Sequence, residues 1–449
     1  MSSTTIKFIN HASVLVKSEN TSLLSDPWYY GDSFHKGWNL LVQQSKEEIS
    51  LILDEVTHIW ISHEHPDHFS VKFFIDFKEK ITAQKINILF QRTNDKRVFN
   101  FLKQLKLDVT EIDFNKDHAL GPNYKVKCIK DGFYDSALLI STRDKKILNL
   151  NDCEIRNIKR AEQIRKITGS CDILLSQFSY AAWKGGKDNI LWRKKAANEK
   201  IQSLNVQIRV FKPKVLIPFA SYIYFSNTRN KYLNDCVNTP NQLLEELKEN
   251  NVHLNVMKPF DEFDGTIDKN QIFEAMKYWD FHFKNINKKK IYDYVMCSED
   301  ELKNSFKAYR KRIFSKNFKF LLYFAKFLSP IKIFKNIAIY LDDIKKTVVL
   351  DLFSETLIFN NESPDLIMSS ESLNFMLNNP FGFDTLTVNG CFEEYNKGGF
   401  AKATKSLALE NLNNMGIMFN IKIFINYNVI LLFLERLKNV EKNLDLKSI

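Results

Sequence analysis

The chain has 449 residues, 44% hydrophobic and 26% charged, with a formal net charge of +11 at pH 7. These values are typical of soluble globular protein, and the length exceeds the roughly 250–300 residues at which a single core stops growing. The six cysteines are scattered without a C-x-x-C pair. They therefore exclude a disulfide framework and a Rieske-type iron–sulfur cluster in this chain, and they predict free thiols in the cytoplasm.

Alternating and apolar runs predict a series of short strands in the first half of the chain. The strand at 57–61 runs directly into the sequence S-H-E-H-P-D-H, and helical periodicity follows at 71–79. Many strands with helices between them, all before residue 285, predict an α/β fold with two sheets sandwiched by helices. The other predicted strands lie at 6–9, 13–17, 22–25, 86–90, 124–129, 137–141, 146–150, 173–176 and 215–218.

Three domains or segments are predicted from this pattern. Residues 1–285 form the catalytic domain, residues 286–336 a basic amphipathic connector, and residues 337–449 a C-terminal α+β domain. Between residues 284 and 335 the chain has 14 Lys/Arg against 4 Asp/Glu, an excess of +10. Two interpretations stay open for this segment: peripheral contact with an anionic membrane, or a linker helix with a solvated basic face. No nucleic-acid motif accompanies the charge, and no secretion signal is expected at the first residues.

The histidine motif after the strand at 57–61 predicts a metal centre. His63, His65, Asp67 and His68 fall within six positions, although the whole chain has only 9 histidines. A strand that ends in this way brings alternate side chains to one side before it turns. Imidazole nitrogen and carboxylate oxygen are ligands for zinc, and iron and manganese also accept them.

A second part of the pattern is Asp152, which follows the predicted hairpin strand 146–150. The order of strand, H-x-H-x-D-H, further strands and then an aspartate resembles the metallo-β-lactamase superfamily. The runs 10–16 and 25–28 are similar to its branch of ascorbate-phosphate lactonases and acylethanolamine phospholipases. A narrower resemblance, to the part of the CMP-N-acetylneuraminate hydroxylase family that lacks the Rieske domain, is carried by residues 26–28, 37–41, 217–222, 230–232 and 238–243.

The resemblance implies a metallo-β-lactamase αββα sandwich holding one or two divalent metal ions, zinc foremost and iron or manganese as alternatives. Asp67 is expected either to bind the second ion or to act as the catalytic group that orients water and accepts its proton. Asp26 is expected to support the ligand loop. The ligand set implied is His63, His65, Asp67, His68 and Asp152.

Two histidines that the superfamily normally adds are absent. The first is expected near 131–135 and the second near Asn227, and neither place holds a histidine. His118, in a polar segment, is one candidate substitute; His253 and His282 are further candidates.

On the substrate side, Lys184 and Lys187 flank a Gly-Gly turn and are candidates to bind an anionic small molecule, together with Tyr222 and Arg229. A surface turn and core packing are the alternatives for these four residues.

Three functions are compatible with these residues. The first is a hydrolase that uses metal-bound hydroxide on an ester, amide or phosphodiester of an anionic substrate, such as a sugar nucleotide or N-acyl sugar. The second, implied by the narrower resemblance, is an iron-dependent oxygenase subunit that takes electrons from a separate Rieske or reductase protein. The third is a scaffold with a degenerate metal site.

The C-terminal region has a pattern of its own. Strands are predicted at 337–341, 347–351 and 355–358, followed by a helix at 369–378. The runs 369–377, 379–386 and 388–392 resemble a sterol-carrier-like domain, which implies a tunnel for an apolar group. Structural support or dimerisation is the alternative role for this domain.

Overall fold

The protein is described from a computed structural model that covers residues 3–132, 134–328, 333–360, 362–407, 409–414 and 417–420. The chain forms two compact units, Met1–Tyr292 and Asp293–Ile449. The division between them lies inside the predicted connector 286–336, whose remaining residues fall in the second unit. The predicted domain boundaries otherwise stay a prediction.

Strands and helices alternate through the first unit. Its strands are β1 (Thr5–Asn10), β2 (Ser13–Ser18), β3 (Thr21–Ser25), β4 (Asp32–Ser33), β5 (Trp38–Leu40), β6 (His58–Ile61), β7 (Asn87–Gln91), β8 (Val109–Ile112), β9 (Asp117–Gly121), β10 (Tyr124–Asp131), β11 (Asp135–Ser141), β12 (Lys146–Asn151), β13 (Ile173–Gln177), β14 (Val215–Phe219), β15 (Ile223–Phe225), β16 (His253–Leu254) and β17 (Glu262–Phe263). Its α-helices are α1 (Lys46–Leu53), α2 (Val71–Ala83), α3 (Arg97–Gln104), α4 (Ile158–Thr168), α5 (Ile190–Phe211), α6 (Pro240–Leu247) and α7 (Lys269–Lys284).

Two seven-stranded sheets form the centre of this unit. The first has the order β17-β1-β2-β3-β6-β7-β8 and the second the order β16-β14-β13-β12-β11-β10-β9. In the first sheet β3, β6, β7 and β8 run parallel, and in the second β12, β13, β14 and β16 run parallel. Parallel neighbours end at the same edge of a sheet, so loops that follow them meet there.

Alternation along the strands divides the apolar side chains between two cores. In β2, Val14 and Val16 face the second sheet, whereas Leu15 packs with α1, α2 and α3 on the outer side of the first sheet. This is the period of two expected of a strand whose two faces are both covered. Helices α4 to α7 add their apolar faces to the core that contains the second sheet. The predicted α/β fold with two sheets sandwiched by helices is therefore confirmed.

The segment with the histidine motif is fixed at both ends. Its first end is β6, which is buried between β3 and β7. Its second end is α2, which begins at Val71 because Ser70 caps it and accepts a hydrogen bond from the Phe73 N–H. Such a cap satisfies one of the amides that a helix N-terminus leaves without a partner. Only the nine residues 62–70 lie between strand and helix.

The second unit combines helices with a five-stranded sheet of order β20-β19-β18-β21-β22. Its strands are β18 (Ile337–Leu341), β19 (Lys346–Leu350), β20 (Ile358–Asn360), β21 (Leu366–Met368) and β22 (Phe392–Glu394), and its helices are α8 (Glu299–Lys316), α9 (Lys319–Leu328), α10 (Ser370–Asn378), α11 (Gly382–Asn389), α12 (Gly399–Leu407) and α13 (Leu409–Asn414). The sterol-carrier-like assignment stays a prediction, and residues 421–449 of that predicted domain lie outside the described residues.

Helix α9 exposes an aromatic face inside the basic segment. Phe320, Tyr323, Phe324 and Phe327 follow helical spacing and are each more than half exposed. Within the described ranges, none of the helices has the length and apolar character that a membrane crossing requires. Peripheral membrane contact through 284–335 stays a prediction.

The core between the sheets and α7 gives a test of packing. Tyr222 is fully buried; its ring stacks on Trp279 at 4.0 Å between centroids and meets Phe8 edge-on at 5.4 Å. We expect Tyr222→Ala to lower the free energy of unfolding by about 3–5 kcal/mol, because truncation leaves a cavity. Tyr222→Phe removes only a 3.3 Å hydrogen bond to the Pro218 carbonyl and should cost about 1 kcal/mol.

Urea unfolding followed by tryptophan fluorescence measures both changes. Leu191→Ala is the matched control, because that side chain is 77% exposed and should change the free energy of unfolding by less than about 0.5 kcal/mol. Equal losses for Tyr222→Ala and Leu191→Ala would show that Tyr222 is not part of the core.

Candidate metal centre

The histidine motif lies where four strand ends of the two sheets meet. His63, His65, Asp67 and His68 follow the carboxyl end of β6, and Asp152 follows the carboxyl end of β12. Two further side chains join them. His11 lies in the turn between β1 and β2, and Asp135 is the first residue of β11.

These seven side chains form three overlapping groups with metal-binding geometry. Within each group one ligand atom per residue lies within 4.8 Å of the others. The first group is His63, His65 and Asp135; the second is His11, Asp67 and His68; the third is His63, His68 and Asp152. The first two groups share no residue, and the third connects them. The arrangement is that of two neighbouring positions for a cation with Asp152 between them.

The distances between ligand atoms connect the groups. His63 Nε2 lies 2.7 Å from His65 Nδ1 and 3.7 Å from both Asp135 Oδ1 and Asp152 Oδ2. His68 Nε2 lies 3.2 Å from Asp67 Oδ2 and 3.6 Å from Asp152 Oδ2. Asp152 therefore lies within 4 Å of an imidazole from each side of the centre.

The donor set fits a divalent cation because, among the residues that the structure describes, several of its buried atoms have no hydrogen-bond partner. They are both ring nitrogens of His11, Asp67 Oδ1, His68 Nε2, Asp135 Oδ1 and Asp152 Oδ1. Burying polar atoms without a partner costs roughly 1–3 kcal/mol each, so such atoms usually have a ligand in the functional protein. Imidazole nitrogen and carboxylate oxygen together are ligands for zinc, iron and manganese.

Electrostatics at the centre also favour a cation. Burial, reinforced by the charge on Asp152, raises the pKa of Asp135 to about 7. Burial lowers the pKa of His63 and of His65, which keeps these imidazoles neutral, as metal ligands must be. Burial opposes a charged His68, but Asp67 and Asp152 beside it hold its pKa well above the usual value. Three carboxylates so close together need positive charge between them.

Asp26 holds the ligand loops in place. It is fully buried directly after β3, and its carboxylate accepts hydrogen bonds from the Ser62 N–H at 2.7 Å, the Ser62 hydroxyl at 2.8 Å and His68 Nδ1 at 3.1 Å. The amide of Asn151, next to Asp152, also donates to it. The bond to His68 Nδ1 leaves Nε2 of that ring facing Asp67 and Asp152. Such outer partners fix the orientation of a metal-binding imidazole.

The five ligands predicted from the sequence are brought together, and His11 and Asp135 were missed. Asp135 lies in the segment 131–135, where a histidine was expected. His11 lies in the N-terminal run 10–16, but its turn gave no metal signal in the sequence. Asn227 is buried in a local turn, where its Oδ1 accepts from the Arg229 N–H.

His118, one candidate to replace a missing histidine, lies outside the three groups. His118 lies on β9, the edge strand of the second sheet, and its Nε2 accepts a hydrogen bond from the Asp113 N–H at 3.1 Å. His253 and His282 also lie outside the three groups.

One predicted substrate residue needs correction, and the turn between two others is well held. Tyr222 belongs to the hydrophobic core, where Trp279 covers its ring, and does not line an open surface. The Gly-Gly turn between Lys184 and Lys187 is not a flexible loop. The buried guanidinium of Arg193 donates to the carbonyls of Gly186 and Lys187 and pairs with Asp235.

The other three predicted substrate residues lie in surface segments of the first unit. Lys187 is exposed, whereas Lys184 and Arg229 are half-buried. Burial lowers the pKa of Lys184, and the carboxylate of Glu154, two residues beyond Asp152, acts on the same ammonium group. Among the predicted cations, Lys184 is therefore one that interacts with a carboxylate close in sequence to Asp152. Binding of substrate by these residues stays a prediction.

Residues 5–170 match a protein family described as the beta-lactamase superfamily domain. The chain is 25% identical over 264 residues to cytidine monophosphate-N-acetylneuraminic acid hydroxylase of Danio rerio, covering 55% of this chain and 43% of that protein. It is 26% identical over 264 residues to the inactive human form, covering 55% of this chain and 50% of that protein. The chain thus spans about half the length of the curated relatives it matches.

Solved structures also align with part of this chain. CmlA, a diiron β-hydroxylase from Streptomyces venezuelae, aligns with 11% identity and a TM-score of 0.37, over 66% of this chain and 53% of that one. A metallo hydrolase from Ignicoccus hospitalis aligns with 12% identity and a TM-score of 0.41, over 58% of this chain and 98% of that one.

Asp26→Asn tests how the ligand loops are supported. Asparagine keeps the size of the side chain, but it replaces one acceptor oxygen by a donor that faces other donors. We expect affinity for the metal to fall roughly 10–100-fold, as is common when an outer partner of a ligand is lost. Competition with a chromophoric chelator at fixed pH measures the change.

Asp108→Asn is the matched control, because Asp108 is an exposed carboxylate of the same unit that bonds only Asn87 among the contacts described. It should bind metal as the wild type does. Unchanged affinity in Asp26→Asn would contradict the supporting role.

Proposed function

We propose, from the premise that residues 5–170 belong to the metallo-β-lactamase superfamily, that this chain is an iron-dependent oxygenase of an anionic N-acyl sugar or nucleotide sugar. The observation that supports it is the division of the ligands into two sets of the same composition. His63, His65 and Asp135 form one set; His11, Asp67 and His68 form the other. Each contains two imidazoles and one carboxylate.

Two imidazoles and one carboxylate with open positions are the ligands of many non-haem iron oxygenases. The structure supplies the set twice, with Asp152 near both. When bound, a pair of iron ions supplies the redox chemistry that activates dioxygen. The carboxylate at Asp135, where a third histidine was expected, makes the first set richer in oxygen than a three-imidazole zinc site.

The relatives support the substrate class. The Danio rerio relative is a hydroxylase of cytidine monophosphate-N-acetylneuraminic acid, and the human relative is described as its inactive form. That nucleotide sugar carries a phosphodiester, a carboxylate and an N-acyl group. Hydroxylation with dioxygen inserts one oxygen atom into a C–H bond, and two electrons and two protons reduce the other atom to water. We assign the electrons to a separate protein partner.

The chain's own residues would perform the remaining tasks. Asp26 holds His68 through Nδ1, so that Nε2 is the atom offered to a cation. The Ser62 hydroxyl lies 2.9 Å from His63 Nδ1 and orients that ring in the same way. His11 meets Trp28 edge-on at 5.6 Å, and Phe34 meets His65 edge-on at 5.9 Å, which limits the access of water to both rings.

A metal-dependent hydrolase is the second candidate, and the same ligand set supports it. Hydrolytic zinc sites also use two histidines and one carboxylate, and a zinc ion lowers the pKa of its water to about 7. Asp67 has one carboxylate oxygen without a hydrogen-bond partner, which suits a group that orients water and accepts its proton. The substrate would be an ester, amide or phosphodiester of the same anionic class.

Metal analysis of protein purified without oxygen separates these functions. The oxygenase should contain about two equivalents of iron, and a variant lacking one ligand of either set, His65→Ala or His11→Ala, about one. Reduced protein should then consume dioxygen. His118→Ala is the matched control and should retain all the iron, because His118 bonds only to the Asp113 backbone.

The hydrolase would be favoured by two equivalents of zinc that are lost in the ligand variants. The zinc-containing protein should then hydrolyse model phosphodiesters or N-acyl sugars. If the wild-type protein holds no stoichiometric metal, both enzyme functions are contradicted and the scaffold function is the one that is left.

Asp135→His tests the choice of metal directly. The change creates a set of three imidazoles at the first position, which resembles catalytic zinc sites. We expect the ratio of bound iron to zinc to fall when the protein is loaded from an equal mixture, with loss of dioxygen consumption. Asp117→His, an exposed change on β9, should leave the ratio unchanged. An unaltered ratio in Asp135→His would exclude Asp135 as a ligand.

A further inference from the structure

A group of cationic side chains lies beside the metal centre and has no role in the function derived above. Lys200, on α5, donates a hydrogen bond to Gln177 Oε1 at the carboxyl end of β13. β13 is the parallel neighbour of β12, and Asn151 pairs with Ser176 in that register. Gln177 therefore lies on the strand next to the one that ends at Asp152, and it brings the Lys200 ammonium to the edge of the centre.

The ammonium of Lys200 is largely enclosed. Its side chain is 14% exposed, and its nearest carboxylate is Glu154, at 3.6 Å from Nζ. Burial lowers the pKa of Lys200, and the charges of Glu154 and Asp152 act in the opposite direction. An ammonium has three donor hydrogens, and Gln177 takes one. Enclosing a lysine in this way is unfavourable unless another anion is bound there at some stage.

Lys184 and Arg156 increase the positive charge of the group. Burial lowers the pKa of Lys184 as well. The ammonium charge of Lys184 also lowers the pKa of Glu154 and of Lys200. Arg156 pairs with the same oxygen of Glu154 that faces Lys200. Glu154 thus interacts with all three cations, and Glu199, which pairs with the exposed Lys195, also acts on Lys184. The group has an excess of positive charge beside a centre built from carboxylates.

We propose that Lys200, held at the end of β13 next to β12, forms with Lys184 an anion-binding subsite that holds the phosphate or carboxylate of the substrate next to the metal centre. The inference rests on the proposed function, because the subsite would orient the substrate of the proposed oxygenase at the metal centre. Lys200 contacts the substrate directly in this view, whereas Gln177 positions its ammonium. The carboxyl ends of parallel strands, where the group lies, are the usual place for ligands in such sheets.

Anion binding to the metal-loaded protein tests the subsite. The probes are inorganic phosphate, cytidine 5′-monophosphate and N-acetylneuraminic acid, titrated in a calorimeter. We expect Lys200→Met to weaken binding of at least one probe roughly 10–100-fold, as the loss of a charge-assisted hydrogen bond does. Lys200→Arg should restore most of the affinity. If only the phosphate-bearing probes respond, the subsite takes phosphate; if only N-acetylneuraminic acid responds, it takes carboxylate.

Lys195→Met is the matched control, because Lys195 lies on the same helix with its side chain 75% exposed. It should bind every probe as the wild type does. Lys184→Met, at a less enclosed position, is the second variant in case Lys200→Met unfolds, and it should also weaken binding. Unchanged affinity in Lys184→Met and Lys200→Met overturns the proposal, as does the absence of binding to the wild type.

The metal content of the same samples separates this test from that of the proposed function. Full metal content and dioxygen consumption, with unchanged anion affinity, would overturn the subsite alone. Weakened anion binding in protein that holds zinc and consumes no dioxygen would support the subsite and contradict the oxygenase. Once a substrate is known, loss of the subsite should raise KM more than it lowers kcat. Loss of a lysine with a purely structural role would not produce this difference between KM and kcat.

Discussion

The buried carboxylate of Asp26 is the interaction on which the centre depends. It follows β3 and receives hydrogen bonds from Ser62 after β6, from His68 in the motif and from Asn151 at the end of β12. These residues belong to both sheets, so a single carboxylate joins the two layers at the edge where the ligands lie. Its backbone has φ of +36°, a conformation that costs free energy in a residue other than glycine. The bonds it accepts offset that cost.

Charge balance is the second constraint. Asp67, Asp135 and Asp152 approach one another across four imidazoles, and the described contacts give these three carboxylates no lysine or arginine partner within 4.0 Å. Carboxylates this close cannot all ionise unless a cation lies between them. Lys200 and Lys184 interact instead with Glu154, two residues beyond Asp152. The three carboxylates therefore form a negative centre that suits metal ions.

The two sets of two imidazoles and one carboxylate give the centre its chemical character. A third imidazole in the first set would make it resemble a hydrolytic zinc site, and Asp135 stands there instead. The difference lies in one side chain at the start of β11, while the fold around it is common to the superfamily. The identity of the metal, and with it the class of reaction, thus depends on few residues within a shared scaffold.

Much of the site could be predicted from the sequence because its residues are close together in the chain. His63, His65, Asp67 and His68 lie in one loop after a recognisable strand, and Asp152 follows a hairpin at a position the resemblance identifies. The alternating pattern at 13–17 was likewise enough to predict the strand β2.

Only the tertiary structure decided which distant residues complete the centre. His11 is 52 positions before His63 and Asp135 is 72 after it, and neither has local neighbours that mark a ligand. They reach the motif because a turn of the first sheet and a strand start of the second meet at one edge, which depends on how the sheets pack. The same packing buries Tyr222 against Trp279 and brings Lys200 from the middle of α5 to Glu154. Local sequence determines strand, turn and ligand type, whereas the pairing of sheets determines which side chains share a cation.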